Sequence, residues 1–413
     1  MQPSSPSSLS RRRLLQGLGA LGGLTLTSGL ARARVRPLAL YPAAGDGEIP
    51  RTLVLLQLAG GNDGLSTVVP YADEAYPRLR RVTGIPASEV LPLDERRGLH
   101  PELVRLHALF DAGDLAIVEG VGYPNGNRSH FKSFEIWHAA DPRGRLAGSG
   151  WVGRLCAELY GEAAHPSRLV NVGSRIPYSL HSLQHPAASF RVPAGYRWIE
   201  GGEELAGMEP ESPESSGHSP LEAIRGVMHD ARSSSAAIRQ AALRYRPRVE
   251  YPGDVFADSL RVAAALIQGR IGTRVISVEL GGFDTHNDQR GRHDALMRTL
   301  DGALSAFLDD LHGTDAGPRT VVLAFSEFGR RAAENGSRGT DHGKAGPVFL
   351  AGEPVRGGLY GESPSLEDLD EDGDPRFSTD FRSVYATLID GWFGASHERV
   401  LGAEYPRLPL FAT

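Results

Sequence analysis

Cysteine is almost missing from this chain. Cys156 is the single one in 413 residues, so no intrachain disulfide and no cysteine-based zinc or iron–sulfur site can form. Any metal must be held by Asp, Glu, Asn, Ser and His. An excess of positive charge is also lacking, since 44 Lys and Arg face 50 Asp and Glu, a net charge of −6. Residues 1–33 carry four of those arginines and no acids, so without them 40 face 50 and the charge is −10. Such an acidic chain argues against nucleic acid as a partner. A long apolar run is absent too: the early apolar stretch is too short and glycine-rich for a permanent membrane span. No internal repeat is present.

What the chain does have is glycine and proline, 50 and 28 residues. That composition suits many strand-to-helix loops, where sites usually sit. With about 40% apolar residues, the length allows a buried core in one large domain or two modest ones. The segment "SRRRLLQGLGALGGLTLTSGLARA" has a basic start, a weakly apolar middle and a small-x-small end at Ala31–Ala33, so residues 1–33 are expected to be a targeting signal. Arg11 and Arg12, in Ser-Arg-Arg-x-Leu-Leu, resemble the twin-arginine export signal. The export machinery is then an expected partner and the periplasm or exterior the expected location. A general-secretion signal is the alternative.

Residues 34–50 read as a linker and 51–413 as a single α/β domain. "RTLVLLQLAGGNDG" is a strand-length apolar run followed by a polar turn. A helix from about Pro101 and a strand at 115–121 repeat the alternation. "DVFADSLRVAAALIQGR" and "RVISVEL" do so again, then a helix at 294–311 and the strand "RTVVLAFSEFG". A strand near "GPVFLAG" and a helix in "STDFRSVYATLIDGWFG" complete the series. Continuously apolar strands alternating with helices predict a doubly wound, mostly parallel sheet covered by helices on both faces. Ligands bind such sheets outside the carboxyl ends of the strands, and three polar loops, at 60–66, 281–289 and 326–343, follow predicted strands. The Glu-, Ser- and Pro-rich stretch 201–220 breaks the rhythm and reads as a solvated excursion. With the amphipathic helix after it, 175–250 is expected to be an inserted cap.

Each loop offers chemistry and has a plain structural alternative. "GGNDG" supplies Asp63, or is a tight turn. "GGFDTH" places Asp284 and His286 two residues apart, a carboxylate and an imidazole that divalent metals accept together; the alternative is a helix-capping Asp beside a surface His. In "FSEFGRRAAENGSRGTDHGKAGPVFLAG" Glu327 ends a strand, and Asp341, His342 and Lys344 follow a glycine-rich loop. Glu327 could instead pair with Arg330 or Arg331. In "GYPNGNRSHFKSFEIWHA" Ser129 precedes a helix and could be its N-cap. It could equally be a nucleophile beside Arg128 at an anion-attracting helix end, with His130 the only adjacent base.

Together, "LAGGNDGLSTVVPY", "GVGYPNGNRSHFKSFEIW", "GGFDTH" and "SEFGRRAAENGSRGTDHG" resemble the secreted bacterial family called domain of unknown function 1501. That family resembles a branch of the alkaline-phosphatase-like superfamily, which has a doubly wound sheet and a dinuclear metal centre. The resemblance implies Asp63, Asp284, His286, Glu327 and His342 as metal ligands; in an alternative alignment Asp341 takes the place of Glu327, with Asp341 and His342 as the later pair and the final His missing. It implies Ser129 as nucleophile and one or two divalent ions such as Zn, Mg, Mn or Ca. Phe328 stands where a second imidazole is expected, and His293 is an alternative ligand. Cys156 lacks the Cys-x-Pro-x-Arg context of a formylglycine sulfatase. The expected activity is hydrolysis of an anionic phosphate ester, or secondarily a sulfate ester, with Arg128 and Lys344 on its oxygens. The alternative is a non-catalytic exported binding or assembly protein on the same fold.

Overall fold

The computed structural model describes residues 49–144, 146, 148–196 and 220–411. The expected signal at 1–33, most of the linker and residues 201–219 of the acidic stretch lie outside the described residues. Residues 43–199 and 230–413 form one compact unit. Of the other, 1–42 with 200–229, only the first turns of one helix are among the described residues.

Among the described residues nine strands make the main sheet: β1 (Thr52–Ala59), β2 (Leu115–Gly122), β3 (Leu169–Val172), β4 (Ala188–Phe190), β5 (Val275–Gly281), β6 (Thr320–Phe325), β7 (Gly346–Ala351), β8 (Gly358–Tyr360) and β9 (Thr379–Asp380). Their order is β8-β2-β7-β6-β1-β5-β3-β4, with β9 also paired to β2. All run the same way except β7, which is antiparallel to both β2 and β6. The principal helices are α1 (Val104–Ala112), α2 (His130–Ala139), α3 (Trp151–Tyr160), α4 (Pro220–Arg244), α5 (Val255–Gln268), α6 (Gln289–Leu311) and α7 (Phe381–Thr387).

The apolar runs explain the layers. Along β1, Val54, Leu56 and Leu58 join one buried cluster with Leu106 of α1, Leu260 of α5 and Leu304 of α6. Leu53 and Leu55 join another with Ile136 of α2, Trp151 of α3 and Phe381 of α7. Successive side chains of a strand face opposite sides, so a strand apolar throughout requires helices on both. α5 begins where Asp254 accepts a hydrogen bond from the Ala257 amide, a side-chain N-cap. α6 starts five residues earlier than the sequence suggests, behind Asp288 in the left-handed region at φ 40°.

The doubly wound, mostly parallel sheet with helices on both faces is present. The expected cap needs correction in part. Within 175–250, β4 is the sheet's edge strand, and Ile238 and Ala241 of α4 are buried in the core. Those pieces belong to the sheet and its covering layer, because a three-residue strand between turns leaves no readable period.

The reversed direction of β7 has a positional effect. The segment before it lies at the rim where the other strands end, so a long connection, 326–345, begins and finishes at the carboxyl edge. Ser326 and Glu327 leave β6 there, and His342 and Lys344 return there.

Candidate metal centre

The loops after β1, β2, β5, β6 and β8 carry the residues of the site at this rim. After β1 the backbone turns through Gly60 and Gly61, at φ 121° and 75°, conformations that glycine adopts without strain. A Cβ on Gly60 would stand 2.5 Å from the Asp284 amide nitrogen, so the loops after β1 and β5 touch backbone to backbone. The Gly60 amide also donates to Glu327 Oε1 at 2.9 Å.

Three imidazoles meet at one carboxylate. His286 Nε2 and His342 Nε2 are 2.9 Å apart, and each lies 3.0 Å from Asp284 Oδ1. His130, the first residue of α2, brings Nε2 to 3.6 Å from Asp284 Oδ2; that nitrogen is buried and has no hydrogen-bond partner. One ligand atom each from His130, Asp284 and His342 falls within a 4.8 Å span.

The other ring nitrogens settle which atoms face inward. His342 Nδ1 lies 2.9 Å from the Arg128 carbonyl, which can only accept, so Nδ1 carries the proton and a neutral ring turns a lone pair inward. His286 Nδ1 meets Asp341 Oδ1 at 3.2 Å, and His130 Nδ1 meets Glu327 Oε1 at 2.7 Å. An oxygen acceptor behind each ligating histidine is the usual way a protein fixes tautomer and orientation at a metal. Two inward lone pairs 2.9 Å apart repel unless a proton or a cation lies between them. Donor atoms about 3 Å apart match neighbouring ligands on a cation with bonds of about 2.0–2.2 Å. The donor set therefore fits a borderline divalent metal.

The electrostatics agree. Burial pushes the Asp284 carboxyl up, but its close contacts with His342 and Arg330, with the Arg330 charge, hold it far below the usual range. Burial pushes His342 down, against the pull of the Asp284 carboxylate, which favours the neutral ring. The bond to Glu327 raises His130, opposed by burial. The Asn335 amide, bonded to Asp341 at 3.0 Å, holds Asp341 low.

The remaining expected residues have other positions. Asp63 is buried and engaged by Arg80, Ser66 and Gln289, which leaves a cation no open approach. Glu327 is fully buried, with Oε1 on Gly60 and His130 and Oε2 on Ser326; it stands behind the His130 ring. Asp341 likewise stands behind His286. His293 is inside the fold with Nε2 3.2 Å from Asn62 Oδ1, and burial pushes its ring to about 3. The Phe328 ring packs against His130 and His342, with centroids at 4.9 and 4.6 Å, so it forms the inner wall. Lys344 Nζ bonds Asp370 at 2.6 Å and Asp372 at 3.0 Å, and Arg128 reaches Asp372 at 3.1 Å. Both cations are engaged by one acidic loop. Ser129 is exposed at the N-cap of α2, and its side chain makes no capping bond. It lies between Arg128, whose carbonyl orients His342, and His130. His130, which the sequence offers only as a base beside Ser129, is the further candidate donor of the cluster; a histidine at a helix start was the available signal.

A doubly wound α/β sheet with a histidine–carboxylate cluster at its carboxyl edge defines the class: an α/β protein with a candidate metal centre. The chain belongs to the protein of unknown function family DUF1501, whose model matches residues 119–402. No curated protein matches it. Among solved structures it is similar to a protein in the alkaline phosphatase superfamily from Vibrio parahaemolyticus. Identity there is 9%, coverage 88% of this chain and 71% of that one, and the TM-score 0.38. It is also similar to a putative sulfatase from Bacteroides thetaiotaomicron, at 10% identity, 75% and 66% coverage and a TM-score of 0.33. A phosphonate monoester hydrolase from Silicibacter pomeroyi matches at 10% identity, 86% and 77% coverage and a TM-score of 0.32. Likenesses this distant say nothing of substrate or chemistry.

Proposed function

We propose that this protein is an exported metal-dependent hydrolase of anionic phosphate esters, with sulfate esters second. The observation that carries the reading is the convergence of His130, His286 and His342 on the Asp284 carboxylate, each with its other ring nitrogen held by an oxygen. Asp284, His286 and His342 would hold one divalent cation, with His130 at its edge. When bound, such a cation polarises an ester oxygen and lowers the pKa of an adjacent hydroxyl or water.

The chain's own residues supply the rest. Glu327, Asp341 and the Arg128 carbonyl keep the imidazoles oriented. Phe328 excludes water from the inner side. Ser129 offers a hydroxyl free of any cap bond at the end of a ten-residue helix, where the unpaired amides favour an anion. With Arg128 and Lys344 engaged by Asp370 and Asp372, recognition of the anion falls to the cation and that helix end. Arg11 and Arg12 support export through the twin-arginine route.

A second reading, a binding protein that keeps the fold without turnover, is favoured by Asp63, whose oxygens are engaged by Arg80, Ser66 and Gln289. Elemental analysis of the purified protein, with turnover of aryl phosphates and aryl sulfates after re-adding Zn, Mn, Mg or Ca to chelated protein, separates the two. A stoichiometric metal and a turnover both lost in Asp284→Ala/His342→Ala support the hydrolase. Metal without turnover supports the binder, and absence of metal binding sinks the metal centre.

A further inference from the structure

We infer that Arg330 is the positioning residue of the metal centre: its one guanidinium ties three rim loops together and aims Asp284 at the imidazole pair. The inference rests on the metal-centre reading above.

Arg330 is buried, with 1% of its surface exposed, yet among the described residues its only carboxylate contact within salt-bridge range is half-exposed Asp284. Its nitrogens go chiefly to backbone. Nε donates to the Gly61 carbonyl at 2.7 Å, and Nη1 to the Thr340 carbonyl at 2.8 Å. Nη2 donates to the carbonyls of Gly60 at 2.5 Å and Phe283 at 2.8 Å, and to Asp284 Oδ1 at 3.0 Å. These acceptors belong to the turn after β1, the loop after β5 and the connection before β7.

The Phe283 carbonyl also accepts from the Thr285 amide at 2.8 Å, but the Gly60, Gly61 and Thr340 carbonyls lie just past a strand end or in a loop, where the sheet ladder provides no donor. A buried carbonyl without a donor is costly, so at this rim one side chain supplies what the sheet does not. The main chain of Arg330 joins in, pairing as an antiparallel bridge with His342. The same residue thus grips one candidate ligand by its backbone and another by its side chain. Asp284 Oδ1, the oxygen nearest both imidazoles, is the oxygen that Arg330 holds.

The rigid planar fork matters here more than the charge. Donors leave it in fixed directions toward acceptors on three loops, whereas a lysine ammonium presents three donors from one point. Loss of the fork frees Asp284 to rotate away from His286 and His342.

Arg80 is the natural comparator. It is equally buried, at 2% exposure, and its guanidinium also bonds two carbonyls, Ala332 at 2.7 Å and Arg331 at 2.8 Å, along with a carboxylate. That carboxylate is Asp63 and not Asp284.

The test compares full-length wild type, Arg330→Lys, Arg330→Gln and Arg80→Lys. Folding is read by circular dichroism and thermal unfolding, Zn2+ affinity by competition with a chromogenic chelator, and ligand geometry by the visible spectrum of added Co2+. The expected result is that both Arg330 variants fold but lose about 10- to 100-fold in Zn2+ affinity, the range for an outer partner of a metal ligand, with a changed Co2+ spectrum. Arg80→Lys loses thermal stability and keeps wild-type Zn2+ affinity and spectrum. Equal affinity in wild type and the Arg330 variants overturns this inference and leaves the metal centre standing. So does an equal loss in Arg80→Lys, which would make the effect general softening. Failure of both Arg330 variants to fold overturns it as well, since Arg330 would then serve the fold. No Zn2+ or Co2+ binding by wild type removes the metal centre and this inference with it.

Discussion

Arg80 grips Asp63 with both terminal nitrogens, Nη1 to Oδ2 at 2.5 Å and Nη2 to Oδ1 at 3.1 Å, with neither side chain exposed to solvent. Burial pushes the Asp63 carboxyl up, and the Arg80 charge and hydrogen bond outweigh it and hold it far below the usual range. Asp63→Asn leaves a buried guanidinium without its counter-charge, a change that costs about 3–5 kcal/mol. Urea unfolding should register a loss of that size, and the metal content of the protein that remains folded should equal wild type. Loss of metal with unchanged stability would return Asp63 to the ligand set.

Gly339 sits where no side chain fits. A Cβ there would lie 2.2 Å from the His286 carbonyl carbon and 2.3 Å from its oxygen. Gly339→Ala must therefore push the backbone of a candidate ligand, and overpacking of this kind costs about 1–3 kcal/mol. Zn2+ titration of the folded variant should show weakened binding. Wild-type affinity would mean that the His286 backbone does not move with the loop.

Acid sensitivity has a named contributor away from the metal centre. His138 is buried on Gln57, with Nε2 2.7 Å from Oε1, and burial lowers its ring from 6.5 to about 4. The unfolded chain takes up this proton first, so the His138 contribution is fully present above pH 6.5 and is lost as the pH falls toward 4. The loss is on the order of 3 kcal/mol if no other group compensates. Replacing His138 with Gln should flatten the fall of the unfolding midpoint across that window. An unchanged pH profile would refute the assignment.

Cys156 should be silent to thiol reagents in the native state. Its side chain is buried, and burial pushes the thiol up to about 12, whereas the thiolate is the reactive form. A chromogenic disulfide reagent at pH 8 should count no thiol in the folded protein and one after denaturation. Rapid labelling of native protein would contradict the packing of α3.

Much of this architecture could be read from residues alone, for physical reasons. The strand 52–59 is apolar at nearly every position, as burial on both faces demands, and the loops after β1, β5 and β6 were placed on one rim by that reasoning. The direction of β7 could not be read, because an apolar run has the same period in either sense. The strands at 169–172 and 188–190 are too short to show a period at all. Within the site, Asp284, His286 and His342 were legible as ligand types at strand ends. Asp63 looked equivalent to them, since nothing in Gly-Gly-Asn-Asp-Gly announces that Arg80 will fold over it. Glu327 and Asp341 were seen as carboxylates near the site, but whether a carboxylate touches a metal or stands behind an imidazole is decided by side-chain direction. His130 was not legible as a candidate donor because its neighbours spell a helix cap.

The side-by-side placement of β5, β1 and β6 bears on the order of events during folding. β1 pairs with β5 more than 200 residues later in the chain, and with β6 later still, contacts whose loop-closure entropy makes them slow to form. Asp284 and His286 follow β5, and His342 lies in the connection between β6 and β7. No early fragment carries the complete ligand triangle. A cation at that triangle would need both β5 and the 326–345 connection in place before all of its donors were assembled.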